Sequence, residues 1–204
     1  YGPVNSYTIV SGVAEGDTVS AVLGNLQRLR CEAGYRLFYP ALGKKEISFI
    51  GRMATGDQGA GLWENGAVYN HGSHGFYARA LAAAGQAETL KDVIEYMLPY
   101  NEEFHPVEKT MSPPYAIVNC YQDVPVFRHR GGMTFLTGTI AMAVRAVYNW
   151  MFGITPEFGG ISFRPCLTKE NDGAYVCYRL GERELRITYR QTGSLAVMVN
   201  GKKT

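Results

Sequence analysis

Two short segments of the chain set chemistry-bearing residues just ahead of apolar, helix-periodic runs. The first is Trp63-Glu64-Asn65-Gly66-Ala67-Val68-Tyr69-Asn70-His71-Gly72, and the second is Thr134-Phe135-Leu136-Thr137-Gly138-Thr139. The start of a helix leaves backbone N–H groups unpaired and carries partial positive charge, so it attracts anions. The His71 imidazole, the Thr137 hydroxyl and the Gly138 N–H together form a donor set suited to a phosphate. Plainer roles exist for each. His71 can cap or pack at a helix start, and Thr137 can serve as an N-cap whether or not it meets an anion. Glu64, in glycine-rich surroundings, can be a solvated carboxylate. His71 and His74 lie three apart with no third ligand near in sequence, which argues against a metal site. Arg128, His129 and Arg130 form a local basic cluster that suits either phosphate attraction or a solvated loop, and Gly131 and Gly132 suit a turn.

The elements that must position these residues are mostly helical. Asn5 to Val13 reads as a short apolar helix, and Asp17 is placed to cap the next one, whose Val19, Val22, Leu23, Leu26 and Leu29 share a face. Residues 34–63 read as a long loop punctuated by Pro40, Gly43, Gly51, Gly56, Gly59 and Gly61, with aromatics that argue against disorder. A helix is predicted to start near His71 or Gly72, with Phe76, Tyr77, Ala80, Leu81 and Ala84 as its stripe and Gly85 as its stop. A second runs from Ala87 to Leu98, closed by Pro99, completing a helical hairpin. Residues 99–133 read as irregular. A further helix spans Thr137 to Phe152. Beyond it the period changes to two, and strands are expected at Tyr175–Leu180, Glu184–Arg190 and Leu195–Asn200. The fold class is therefore mainly α with a C-terminal β unit.

The chain of 204 residues is 46% hydrophobic, ample for a core, and its formal net charge is +2. Lys and Arg are scattered, so neither nucleic acid nor a membrane surface is indicated as a partner. Cys31, Cys120, Cys166 and Cys177 lack metal or redox spacing and read as free thiols of a reducing, cytoplasmic compartment. No apolar stretch is long enough to span a bilayer. Residue 1 is Tyr, and Asn200-Gly201, a strong hairpin-turn signal, has only three residues beyond it. Both features are read as those of a piece of a larger protein. Helix pairs joined by long aromatic loops suggest part of a ring of such pairs, with the loops at one end building the site.

The ordered set of motifs resembles the inverting glycoside phosphorylases of glycoside hydrolase family 94, which include cellobiose, chitobiose, cellodextrin and 1,2-β-oligoglucan phosphorylases. The segments that carry the resemblance are Asn5 to Ala14, Gly34-Tyr35-Arg36-Leu37-Phe38-Tyr39-Pro40, Ile50-Gly51-Arg52, Glu64-Asn65-Gly66 through His71, Arg130-Gly131-Gly132, Thr137-Gly138-Thr139 and Phe158 to Cys166. The resemblance implies part of an (α/α)6 barrel, over residues 1–157, followed by the start of a β-sandwich domain at 158–204. It implies inverting phosphorolysis of β-linked gluco-oligosaccharides, of β-1,2-glucan or cellobiose type, to α-glucose 1-phosphate. His71, Thr137 and Gly138 match the family's phosphate contacts, and Glu64 a sugar contact. Asn119 stands where cellobiose-type members have a sugar-binding glutamine. The family's general-acid Asp and its phosphate-binding Arg lie upstream of these motifs, so no catalytic residue is assigned in this chain.

In an inverting displacement an acid protonates the leaving oxygen while a nucleophile attacks the opposite face. Phosphate in that role needs no second carboxylate as base; the protein positions it and offsets its charge. The implied partners are thus a β-linked oligosaccharide, inorganic phosphate as co-substrate with no cofactor, and the rest of the same enzyme, with a homodimer left open. The isolated chain is expected to be incomplete and inactive. Two alternatives stand beside this reading: an inverting hydrolase on the same toroid, for which Glu64 is the carboxylate candidate, and a non-catalytic carbohydrate-binding fragment.

Overall fold

The computed structural model describes residues 1–50, 59–193 and 196–203, and for Thr137 the backbone alone. The expected Gly51-Arg52 match lies outside the described residues. Helices α1 (Gly2–Val10) and α2 (Asp17–Gln27) open the chain. Asp17 is the first residue of α2 and makes no capping bond; Gly16 holds the N-cap position. The acidic residue therefore acts through the helix dipole alone. The segment expected to be a loop from residue 34 begins inside a hairpin, β1 (Arg30–Cys31) with β2 (Gly34–Tyr35), and carries the short helix α3 (Lys44–Ile47).

The predicted helical hairpin is present as α4 (Phe76–Ala83) and α5 (Ala87–Met97). In α5, Leu90, Val93, Ile94 and Met97 recur at helical spacing and are all buried. Leu98 turns extended because Pro99 follows it. Packed with Tyr77, Ala78 and Leu81 of α4, Leu26 of α2 and Tyr35, they form the main core. The last long helix, α7 (Thr137–Arg145), closes this core with Ala143 and continues through a wider, π-type turn (Ala146–Met151) that adds Ala146 and Trp150.

Residues 99–133, expected to be irregular, contain the short helix α6 (Val107–Thr110) and two strands, β4 (Val118–Tyr121) and β5 (Gly131–Thr134). With β3 (Val68–Tyr69) they make a three-stranded antiparallel sheet in the order β3-β4-β5, in register Val68↔Tyr121 and Cys120↔Gly132. All four residues of β4 are buried, so no alternation marks it in the sequence.

The β unit begins with the hairpin β6 (Ile154–Glu157) and β7 (Gly160–Phe163). Strands β8 (Tyr175–Leu180) and β9 (Arg183–Thr188) pair over six residues each. Met198–Val199 (β10) and Lys202–Lys203 (β11) pair around Asn200-Gly201, so two of the three residues beyond this turn suffice for a short return strand. Ile154, Val176 and Tyr189 form a separate small core here. The β unit grips the end of α7 through backbone groups. Asn149 Nδ2 donates to the Ile154 carbonyl at 2.7 Å, Cys166 N–H to Met151 at 2.9 Å and Tyr189 Oη to Phe152 at 2.7 Å. Gly153 makes this junction possible: its φ is +66°, and a Cβ there would lie 2.1 Å from the Arg164 backbone. The architecture is thus a mixture of helices and small sheets.

Candidate active site

His71 sits in a π-type turn (Asn70–Gly75) between β3 and α4. Such a turn holds one residue more than an α-turn and re-aims its side chains. Three of its polar residues point inward. Ser73 Oγ accepts from the Tyr69 N–H at 2.9 Å and donates to the Tyr69 carbonyl at 2.6 Å. His74 Nε2 accepts from the Tyr35 N–H at 2.8 Å, which leaves the proton on Nδ1 to be donated to Asn70 Oδ1 at 2.7 Å. Asn70 Nδ2 then donates to the Val118 carbonyl at 2.7 Å. This chain of bonds ties β2, the turn and β4 together. Burial, and then the neighbouring His105, push the His74 pKa down to about 3, so it is a neutral structural imidazole. Among the described residues no group of three or more His, Cys, Asp or Glu side chains could hold a metal ion.

With Asn70, Ser73 and His74 committed inward, His71 is left exposed. Its ring lies against Phe76, centroids 6.2 Å apart, and faces the first turn of α7. A Cβ built on Gly138 would lie 3.4 Å from both Cε1 and Nδ1 of His71. The two positions, 67 residues apart in sequence, are therefore in van der Waals reach. Gly75 packs more closely still on α7, since a Cβ there would meet Met142 Cε at 2.6 Å. The backbone of Thr137 opens the helix as its first residue, and Leu136 holds the N-cap position without a side-chain cap. The expected cap at Thr137 is thus displaced by one residue, and its side chain lies outside what the structure describes. The first N–H groups of α7, Gly138 among them, have no acceptor within the helix.

Asn119 lies on β4, and Thr139 Oγ1, in the first turn of α7, donates to its Oδ1. Glu64 stands on the other side of β3, where the Tyr69 hydroxyl donates to its Oε1 at 3.2 Å. There it borders a cavity of about 510 Å³ with Leu37, Phe38, Tyr69 and Phe76 among its walls. Aromatic and aliphatic walls with one carboxylate suit a polar ligand with apolar faces, as a sugar ring has. Gly72, the residue after His71, and Phe76, against which its ring lies, both line this cavity.

The basic cluster read at Arg128, His129 and Arg130 does not form as such. His129 is only 1% exposed, while the two arginines flank it on the surface. Its backbone adopts a left-handed φ of +69°, which turns the ring into the protein. His105 Nε2 donates to the Tyr96 carbonyl at 2.6 Å, and His129 Nε2 donates to His105 Nδ1 at 2.9 Å. His105 stacks on Tyr121 at 4.3 Å between centroids. Burial lowers both imidazoles' pKa values, that of His105 to about 4. This pair fastens the β4–β5 hairpin to the end of α5. Its members are 24 residues apart, and the flanking arginines disguise His129 as a surface residue.

Gly138, in the first turn of α7, thus faces an exposed imidazole beside an aromatic-walled cavity. The profile of the glycosyl hydrolase 94 superfamily catalytic domain matches residues 3–153, and the chain belongs to that family. It is 31% identical over 168 residues to the solabiose phosphorylase of Paenibacillus borealis, a match that covers 81% of this chain and 21% of that protein. It is 26% identical over 176 residues to the N,N'-diacetylchitobiose phosphorylase of Vibrio proteolyticus, covering 84% and 21% of the two chains. The cellobionic acid phosphorylase of Neurospora crassa is 26% identical over 167 residues, covering 79% and 21%. The chain therefore spans about a fifth of the length of the curated relatives it matches.

Proposed function

We propose that this chain serves inverting phosphorolysis of a β-linked gluco-oligosaccharide to α-glucose 1-phosphate, and that it contributes the phosphate-binding half of the site. The observation that carries the reading is the approach of His71 to Gly138 at the first turn of α7, 3.4 Å from a Cβ placed there. Imidazole and free helix N–H groups converge on a space that suits a phosphate oxygen. Thr137 joins them on the strength of its place in the motif. Glu64 and Asn119 are proposed to hold the sugar beside it. The general-acid Asp would come from polypeptide outside this sequence, as would the remaining wall of the site. On this reading residues 1–157 belong to an (α/α)6 barrel and 158–204 begin a β-sandwich. The substrate linkage is of β-1,2-glucan or cellobiose type.

The test is phosphate-dependent release of glucose 1-phosphate from sophorose or cellobiose by the full-length polypeptide carrying this sequence. Release of glucose alone, at a rate indifferent to phosphate, would instead establish the hydrolase reading built on Glu64. A lost charge-assisted contact is worth about 1.5–3 kcal/mol, so His71→Ala is expected to lower phosphate use by about 10- to 150-fold. Gly138→Ala is a sharper probe. The added methyl meets only ordinary contacts at 3.4 Å, so the fold tolerates it. It nevertheless occupies space beside the imidazole and is expected to raise the phosphate KM while leaving the melting temperature unchanged. The isolated 204-residue chain is expected to release no glucose 1-phosphate.

A further inference from the structure

The third residue of α7, Thr139, is 1% exposed and reaches across to β4, where its hydroxyl donates to Oδ1 of Asn119, itself 4% exposed. A side-chain amide has two ends with opposite hydrogen-bonding character. Here the carbonyl end is taken. Among the described residues no protein acceptor is recorded for the Nδ2 end. Among the described residues the buried polar side-chain atom that lacks a partner lies elsewhere, on His129. The small exposure of Asn119 is therefore at its NH2 group. The main chain of Asn119 is held by a strand paired on both sides, Cys120 with Tyr69 and with Gly132, and the bond from Thr139 is what sets the direction of its amide.

We infer that Thr139 is a positioning residue that fixes the Asn119 amide with its NH2 group outward, making it a two-proton donor that selects an acceptor oxygen of the bound sugar. The inference rests on the proposed phosphorolytic reading and assigns the two ends of Thr137-Gly138-Thr139 different tasks. Gly138 turns its N–H toward the anion beside His71, while Thr139 commits its proton to Asn119 and takes no part in phosphate binding. One helical turn thereby sets the spacing between sugar and phosphate.

The experiment measures sugar affinity by calorimetry with sophorose and cellobiose in the absence of phosphate, and separately the KM for each substrate, in the full-length enzyme. Thr139→Val keeps the shape and removes the hydroxyl. It is expected to weaken sugar binding by about tenfold, the worth of one such bond, and to leave the phosphate KM within about twofold. Thr139→Ser is expected to restore wild-type affinity. Asn119→Asp preserves the acceptor for Thr139 but has no NH2 group; it should match Thr139→Val in sugar affinity, measured below the melting temperature that its buried carboxylate lowers. If Thr139→Val fails to fold, Asn119→Asp and Thr139→Ser decide the matter. A raised phosphate KM in Thr139→Ser or Thr139→Val with sugar affinity intact would overturn the inference, as would wild-type sugar affinity in Asn119→Asp. Loss of sugar affinity in Asn119→Asp from an enzyme that makes no glucose 1-phosphate would overturn the phosphorolytic reading alone.

Discussion

At the scale of single residues, His74 is the fixed point from which His71 is aimed. Its Nε2 accepts the Tyr35 N–H only because residue 34 is glycine: a Cβ there would lie 2.3 Å from Nε2, at a φ of +119°. Gly34→Ala is therefore expected to destabilise the protein by at least about 2 kcal/mol, read as a lower urea midpoint with an unchanged slope. His74→Ala strands the Tyr35 N–H and the Asn70 carbonyl and is expected to cost about 2–5 kcal/mol in the same measurement. His71→Ala, by contrast, is expected to leave the midpoint within about 0.5 kcal/mol, since His71 is exposed. The opposite behaviour of two histidines three residues apart would separate the frame from the site. Their types and spacing were legible in the sequence. Which of the two faces inward depends on the extra residue in the Asn70–Gly75 turn, and no local pattern announces that.

At the scale of elements, legibility followed periodicity. Helices α4 and α5 and strand β8 stand where their apolar spacing puts them, and Gly85, with a φ of +68°, ends the first helix as read. The sheet that carries Asn119 was hidden. Four buried residues in β4 show no alternation, and β5 begins with two glycines, which have low strand propensity. The strand β3 that pairs with β4 is about 50 residues away, so only the tertiary fold assembles the sheet. The candidate site draws on that sheet and on the start of α7, so its residues were visible in the sequence while their supports were not. The His105–His129 pair fastens the β4–β5 hairpin to α5, and His129→Phe, which cannot donate to His105, is expected to lower the melting temperature by several degrees.

At the scale of the whole molecule, three of the four histidines are buried and held neutral. Their folded pKa values lie below the ordinary value near 6.5, at about 3 for His74 and about 4 for His105. Below about pH 6.5 the unfolded chain binds protons that the folded chain refuses. The stability they confer is thus fully present above that pH and is lost as pH falls toward 4 and then 3. Each histidine adds a slope of up to about 1.4 kcal/mol per pH unit. Urea midpoints are expected to stay level from pH 7.5 to about 6.5 and to fall steadily from there to pH 4.5, and a flat profile over that lower range would contradict the buried assignments. A different consequence follows from the way α7 is anchored. Residues 137–151 span about 22 Å at about 1.5 Å per residue. One end presents the first-turn amides proposed to meet phosphate; the other is clamped by Asn149, Cys166 and Tyr189. Mechanically this is a strut loaded at its far end, with little axial play. Slackening the clamp with Tyr189→Phe, far from any ligand, is expected to speed hydrogen exchange at residues 140–143 and to raise the phosphate KM, because the amides at the working end would no longer be held in one place.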